Sequence, residues 1–80
     1  MSKFEKLLQR IKNLDNNLRF EELKKVLEAF GYVMHAPKSG SSHFTFRKKG
    51  SIPITIPKHE PIKVIYVRLV KEAIEEEDNK

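Results

Sequence analysis

Eighty residues, 39% of them hydrophobic and 34% charged, suffice for one small core and leave no room for a separate cofactor-binding domain. The absence of cysteine removes disulfides, thiolate metal sites and Cys nucleophiles, and no apolar run approaches the roughly 20 residues that span a bilayer, so the reading places the protein in the cytoplasm, off the membrane. The net charge of +5 is uneven: eight basic residues against one acid, Glu60, lie between Gly31 and Lys71, and five acids crowd Glu72 to Asp78; a basic stripe of this kind attracts polyanions, of which nucleic acid is the commonest in a cell.

Ser2 followed three positions later by Glu5 is a capping-box signature. Phe4, Leu7, Leu8, Ile11 and Leu14 then recur at helical spacing, which predicts a first helix from Lys3 to Leu14. Asp15, Asn16 and Asn17 break it and offer N-caps for a second helix, whose apolar face is Phe20, Leu23, Val26, Leu27 and Phe30. Gly31 closes that helix as the residue just past its C-cap.

Beyond Gly31 the hydrophobic period falls from 3.6 to 2, and three short runs read as strands: Tyr32 to Ala36, Ser42 to Arg47 and Ser51 to Pro57. The short polar connectors Lys38-Ser39-Gly40-Ser41 and Lys48-Lys49-Gly50 favour antiparallel hairpins. Alternation sends Phe44 and Phe46 to the core and His43, Thr45 and Arg47 to solvent, and sets Ile52, Ile54 and Ile56 inward against Pro53, Thr55 and Pro57. Two prolines in the third run put it at a sheet edge, where a missing N–H costs no ladder bond.

Pro61 suits the first turn of a last helix, followed by Ile62, Ile65, Tyr66, Leu69, Val70, Ala73 and Ile74 at helical spacing. Val64 to Val67 is also rich enough in β-branched and aromatic residues for a strand, but the unbroken continuation through Glu76 decides for helix. Its acidic end opposes the helix dipole and is expected to fray over residues 78–80. The expected fold is α+β: a three-stranded antiparallel sheet with helices packed on one face and the other face wet.

The wet face carries the residues with chemical potential. Metal-free RNA cleavage needs a group to take the proton from a 2′-hydroxyl, a group to protonate the leaving oxygen, and cations to stabilise charge on phosphorus. His43, in a row with Thr45 and Arg47 and next to the Lys38 to Ser42 connector, offers an imidazole and cations with few residues. Gly40, Ser41 and Ser42 can bring N–H groups and hydroxyls to a phosphate. By itself, a lone histidine on an exposed strand is more often inert than catalytic. His59, beside Lys58 and ahead of the last helix, leaves capping, packing and binding open, and His35 has no supporting constellation. No histidine spacing suggests a metal site, no cofactor is expected, and phosphate-loop, dinucleotide and nucleophile-elbow patterns are absent. Phe44 and Phe46 read as core rather than as a base-stacking platform.

From Phe20 to Ile74 the order of pieces resembles the HicA toxins of bacterial and archaeal toxin–antitoxin pairs. Those pieces are the helix end Ala29-Phe30-Gly31-Tyr32, the G-S-x-H element Gly40-Ser41-Ser42-His43 leading into Phe44-Thr45-Phe46-Arg47, the strand end Ile54-Thr55-Ile56-Pro57-Lys58-His59, and the helix segment Val67-Arg68-Leu69-Val70-Lys71-Glu72-Ala73-Ile74. The resemblance implies a double-stranded-RNA-binding-like α-β-β-β-α core. It also implies a ribosome-independent mRNA endonuclease that requires the histidine after the Gly-Ser, here His43, and a HicB-like antitoxin that covers that histidine, with homo-oligomers only inside the antitoxin complex. Residues 1–17 are then an added helix, 18–77 the RNA-binding and nuclease domain, and 78–80 a tail.

The added helix leaves three roles open: packing on the domain, self-association, or a larger antitoxin interface. The basic segment that usually opens the last helix is here Pro61-Ile62-Lys63-Val64, with a single lysine, so RNA binding by that segment is either reduced or taken over by Lys58 and Arg68. The leading hypothesis is an endoribonuclease with His43 as acid or base, and with Lys38, Ser41, Ser42, Arg47, Lys48, Lys58 and His59 as RNA- and phosphate-binding candidates. The alternatives are a non-catalytic RNA-binding module on the same basic face, which binds in a salt-sensitive way without cleaving, and a domain whose basic face meets an acidic protein partner.

Overall fold

A computed structural model describes residues 2–37, 40 and 42–78. The element order is α1 (Lys3–Lys12), α2 (Phe20–Ala29), β1 (Val33–His35), β2 (His43–Arg47), β3 (Ile54–Pro57) and α3 (Val64–Asp78). From α2 onward this is the expected α-β-β-β-α order. Lys38 and Ser41, named above as phosphate-binding candidates, lie outside the described residues, as do Met1, Ser39, Asn79 and Lys80.

Ser2 caps α1, its Oγ accepting the Glu5 amide at 3.1 Å. The helix stops at Lys12, two residues short of expectation, because Leu14 takes a left-handed φ of 55°. A Schellman closure results: the Leu14 amide donates to the Ile11 carbonyl and the Asp15 amide to that of Arg10, each at 3.0 Å. Arg10 then fixes the turn. Its guanidinium donates to Asp15 Oδ2 at 2.9 Å, Glu22 Oε2 at 2.8 Å and the Asn17 carbonyl at 3.2 Å. That hydrogen bond from Arg10, together with one from the Asn17 amide, holds the Asp15 carboxyl below its ordinary range.

The expected Asp or Asn cap of α2 is not used. Arg19 occupies the N-cap position, and because a guanidinium has no acceptor, carboxylates do the capping. Glu22 Oε1 accepts the Arg19 amide at 2.8 Å, and Glu60 Oε1 reaches across from beyond β3 to accept the Phe20 amide at 3.2 Å. At the other end Gly31, with φ 96°, is the left-handed residue the sequence called for. Its amide bonds the Glu28 carbonyl at 3.1 Å and that of Tyr32 the Leu27 carbonyl at 3.0 Å.

The sheet is an antiparallel meander in the order β1-β2-β3. β3 is an edge strand, as expected from Pro57 within it and Pro53 just ahead of it. Two inward and outward assignments in the expected third run, Ser51 to Pro57, fail. Ile52 is 83% exposed rather than in the core, because the ladder begins at Phe46↔Ile54. The residue that would face Ile52, Lys48, belongs to the turn closed by the Ser51 amide on the Lys48 carbonyl at 3.0 Å. Pro57, expected outside, is buried, since the chain beyond β3 folds back beside it and brings Pro61 and Tyr66 near.

α3 begins at Val64 rather than at Pro61. Pro61 follows a cis peptide bond in the connecting segment, and the Lys63 carbonyl accepts the first helical amides, from Tyr66 and Val67. The buried face is Val67, Val70, Ala73 and Ile74, with Ile62 ahead of the helix, and Ile65 and Leu69 turn outward at 63% and 39% exposure. The helix is thus rotated from the face its sequence suggests. α1 lies against α3 as well as α2, and Leu7 and Ile11 enter the same core as Phe46, Ile54 and Ile56. Phe20 packs its ring 5.1 Å from that of Phe44 and 6.0 Å from that of Phe46, so both strand aromatics serve the core. The helices cover this face of the sheet, and Val33, His35, His43, Arg47 and Thr55 stand exposed on the other.

Candidate active site

Period-2 alternation along β2 delivers His43, Thr45 and Arg47 to the open face, as the sequence predicts. Register adds their neighbours. His35, Thr45 and Thr55 form one row across the sheet, with Thr45 Oγ1 3.2 Å from Thr55 Oγ1, and His43 faces Pro57. Arg47 lies at the far end of the strand, about 13 Å from His43 at the usual rise per residue, opposite the exposed Val33.

The ladder between β2 and β3 continues one step past both strands. The Lys58 amide donates to the Ser42 carbonyl at 2.8 Å, which brings His59 alongside Ser42, with Ser42 Oγ 3.1 Å from His59 Nε2. The segment carrying His59 is held from both sides. Ahead of it is the Lys58 bond; after it, Glu60 caps α2 and the Ile62 amide bonds the Leu18 carbonyl at 2.9 Å. This segment then enters α3 beside the end of the sheet. A cleft of about 300 Å³ opens there, lined by His43, Pro57, His59, Pro61, Lys63 and Tyr66.

Two imidazoles, an ammonium and a phenol therefore meet at one mouth. A larger hollow of about 480 Å³ lies between α1 and α2, but its lining of Lys3, Lys6, Arg10, Glu21 and Glu22 has no group suited to proton transfer near neutrality, and Arg10 is consumed in its ion pairs. The smaller cleft holds the side chains suited to proton transfer. Among the described residues, no three His, Asp or Glu side chains converge as metal ligands do.

The phosphate-binding candidates divide by place. His59 lines the cleft, Ser42 meets its ring from beside it, and Lys58 is next in chain, its ammonium 5.8 Å from the centre of the Phe20 ring. Lys48 is elsewhere. Its ammonium pairs with Glu77 near the end of α3 and stands 5.7 Å from the centre of the Tyr32 ring, while its stem runs past Gly31. Lys63 and Tyr66 line the cleft, and sequence reasoning did not single them out as candidates. Tyr66 reads as part of an apolar helix face, and Lys63 as the remnant of a basic segment, which is the one signal in the sequence that points to it.

The profile of the HicA toxins of bacterial toxin–antitoxin systems matches residues 20–75. This chain belongs to the HicA toxin family. No curated protein and no solved structure matches it. As a HicA-family chain it is the toxin of a toxin–antitoxin pair and has an antitoxin partner, and the family is in general one of ribonucleases. The matched span starts at the first residue of α2, so α1 lies outside it while packing into its core. No helix among the described residues is long and apolar enough to cross a membrane.

Proposed function

We propose that this HicA-family toxin is an endoribonuclease that cleaves messenger RNA through His43, without a metal, and so stops translation and growth. The observation that carries this reading is the place of His43: exposed on the open face of the sheet, at the mouth of a cleft that also holds Lys63. In a ribonucleolytic mechanism of this kind the 2′-hydroxyl oxygen attacks the adjacent phosphorus, the bond to the 5′-oxygen breaks, and an imidazole moves a proton at one of those oxygens. A nearby ammonium offsets the charge that builds on the non-bridging oxygens. Ser42 and Lys58, at the end of the β2–β3 ladder, and Arg47, farther along the open face, hold flanking phosphates and set the register of the strand. The antitoxin, of the HicB type, inhibits by covering His43.

The test is single-turnover cleavage of RNA in EDTA by the parent and by His43→Ala. The variant is expected to lose at least a hundredfold in rate while keeping its fold and most of its RNA affinity, and the parent should leave 2′,3′-cyclic phosphate ends. Parental cleavage by the variant, or cleavage that needs a metal, overturns the mechanism. RNA binding with no cleavage by the parent under any condition would favour a non-catalytic RNA-binding module on the same face.

A further inference from the structure

We propose that His59 is the second proton-transfer group of the cleavage, acting opposite His43, with Ser42 as its positioning residue. This rests on the reading of the chain as an RNA-cleaving toxin. Transesterification within RNA moves two protons: one leaves the attacking 2′-hydroxyl and one arrives on the departing 5′-oxygen. One imidazole serves only one of these at the moment of reaction.

The cleft supplies a second imidazole. His43 and His59 both line it, although they sit 16 positions apart in chain, because the ladder past β2 and β3 brings the end of one strand beside the end of the other. His59 is also held in a way that suits the task. Three hydrogen bonds fix its segment, two through the backbone, the Lys58 amide on the Ser42 carbonyl and the Ile62 amide on the Leu18 carbonyl, and one through a side chain, the Phe20 amide on the Glu60 carboxylate.

The contact between Ser42 Oγ and His59 Nε2 occupies one ring nitrogen and directs the proton chemistry to Nδ1. A ring that gains and loses its proton at Nδ1 keeps Nε2–H in both charge states, and the serine oxygen accepts from that N–H throughout, so this contact survives the change of charge that catalysis demands. The charged and titratable groups around the ring are His43 from β2, Lys63 just ahead of α3, Tyr66 in its first turn, and its chain neighbours Lys58 and Glu60, the last of these engaged with the Phe20 amide. His35 shares the open face but pairs with Thr45, one row away from His43, and does not line the cleft.

In the step itself the 2′-oxygen forms its bond to phosphorus as its proton passes to one imidazole. The bond from phosphorus to the 5′-oxygen breaks as that oxygen takes a proton from the other. The products are a 2′,3′-cyclic phosphate and a 5′-hydroxyl. The two rings finish with their protonation exchanged, and water resets them.

The experiment is the pH–rate profile of single-turnover cleavage for the parent, His43→Ala, His59→Ala, His59→Gln and His35→Ala. Each is measured on an RNA and on the same RNA with sulfur in place of the 5′-bridging oxygen at the cleaved bond, a leaving group that needs no proton. The parent should give a bell. His43→Ala and His59→Ala should each slow cleavage by about 10²- to 10⁴-fold, lose opposite limbs of the bell, and differ in rescue, only one of them recovering on the sulfur substrate. His59→Gln keeps an amide able to reach Ser42 but cannot move a proton, so with parental thermal unfolding and RNA binding it should show the same lost limb.

Parental rates for either His59 variant, a slowed variant that keeps both limbs, loss of the same limb in both alanine variants, or His35→Ala behaving as expected of His59 overturns the proposal. The two readings fail separately. An active parent with an inactive His43→Ala leaves the nuclease reading standing whatever His59 does, and a parent that never cleaves removes both.

Discussion

A side chain's part in this protein depends on what its neighbours leave for it to do, and lysines 48 and 63 show this within one chain. The first lies in a strongly basic stretch, Arg47-Lys48-Lys49, and its ammonium is taken by Glu77 and the Tyr32 ring. The second is an isolated lysine in an apolar segment and lines the cleft that holds His43. Gly31 is constrained at the same corner as Lys48. Its φ of 96° disfavours any side chain, and a Cβ there would lie 3.4 Å from Lys48 Cε. Gly31→Ala should cost about 1–2 kcal/mol, a fall in Tm of several degrees for a domain of this size. Thermal unfolding followed by circular dichroism measures it, and an unchanged Tm would mean that the left-handed closure of α2 is not required.

Among the elements, α1 is the one whose role the sequence left open, and its packing decides for a place on the domain. Ile11 is fully buried at the junction of α1 with the rest of the core, and Arg10 on the same helix ties the following turn to the first turn of α2. Ile11→Ala should therefore destabilise by about 2–5 kcal/mol, a large part of the roughly 5–15 kcal/mol that holds a small domain together. Chemical denaturation with a single transition is the measurement. A loss under about 1 kcal/mol, the range of a surface substitution, would show α1 to be an appendage. The rotation of α3 has the same origin. With α1 laid along it, the residues that meet other elements are Val67, Val70 and Ile74, and Ile65 and Leu69 are left outside although their spacing fits a buried stripe equally well.

At the scale of the whole molecule, the uneven charge predicts RNA binding that weakens steeply with salt. Counterion release gives a slope near −0.7 per phosphate neutralised on a single strand. Arg47→Ala, which removes an exposed cation from the open face, should flatten that slope by about one phosphate contact. Lys48→Ala should leave it unchanged and cost at most about 1 kcal/mol of stability, the usual worth of an ion pair near the surface. Fluorescence anisotropy with an inactive His43→Ala protein over a range of salt separates the two, and a flattened slope for Lys48→Ala would return that residue to the RNA surface.

Sequence alone determined what is local. The Ser2 cap, the end of α2 at Gly31, the switch of period from 3.6 to 2 and the edge position of β3 follow from residues a few positions apart, and so does the exposure of His43, because a period of 2 admits only one face for the partners of Phe44 and Phe46. The G-S-x-H element and its surrounding pieces identified the family on the same footing. Tertiary structure decided what depends on residues meeting across the fold. It brought His59 to Ser42 over 17 positions, put Lys63 and Tyr66 at the mouth that His43 shares, withdrew Lys48 to Glu77, and left Ile52 outside the core that its alternation promised. The physical reason is the same in each case: periodicity tells which way a side chain points, whereas strand register, helix rotation and the ending of a ladder tell what it points at, and those are set by packing of the whole chain.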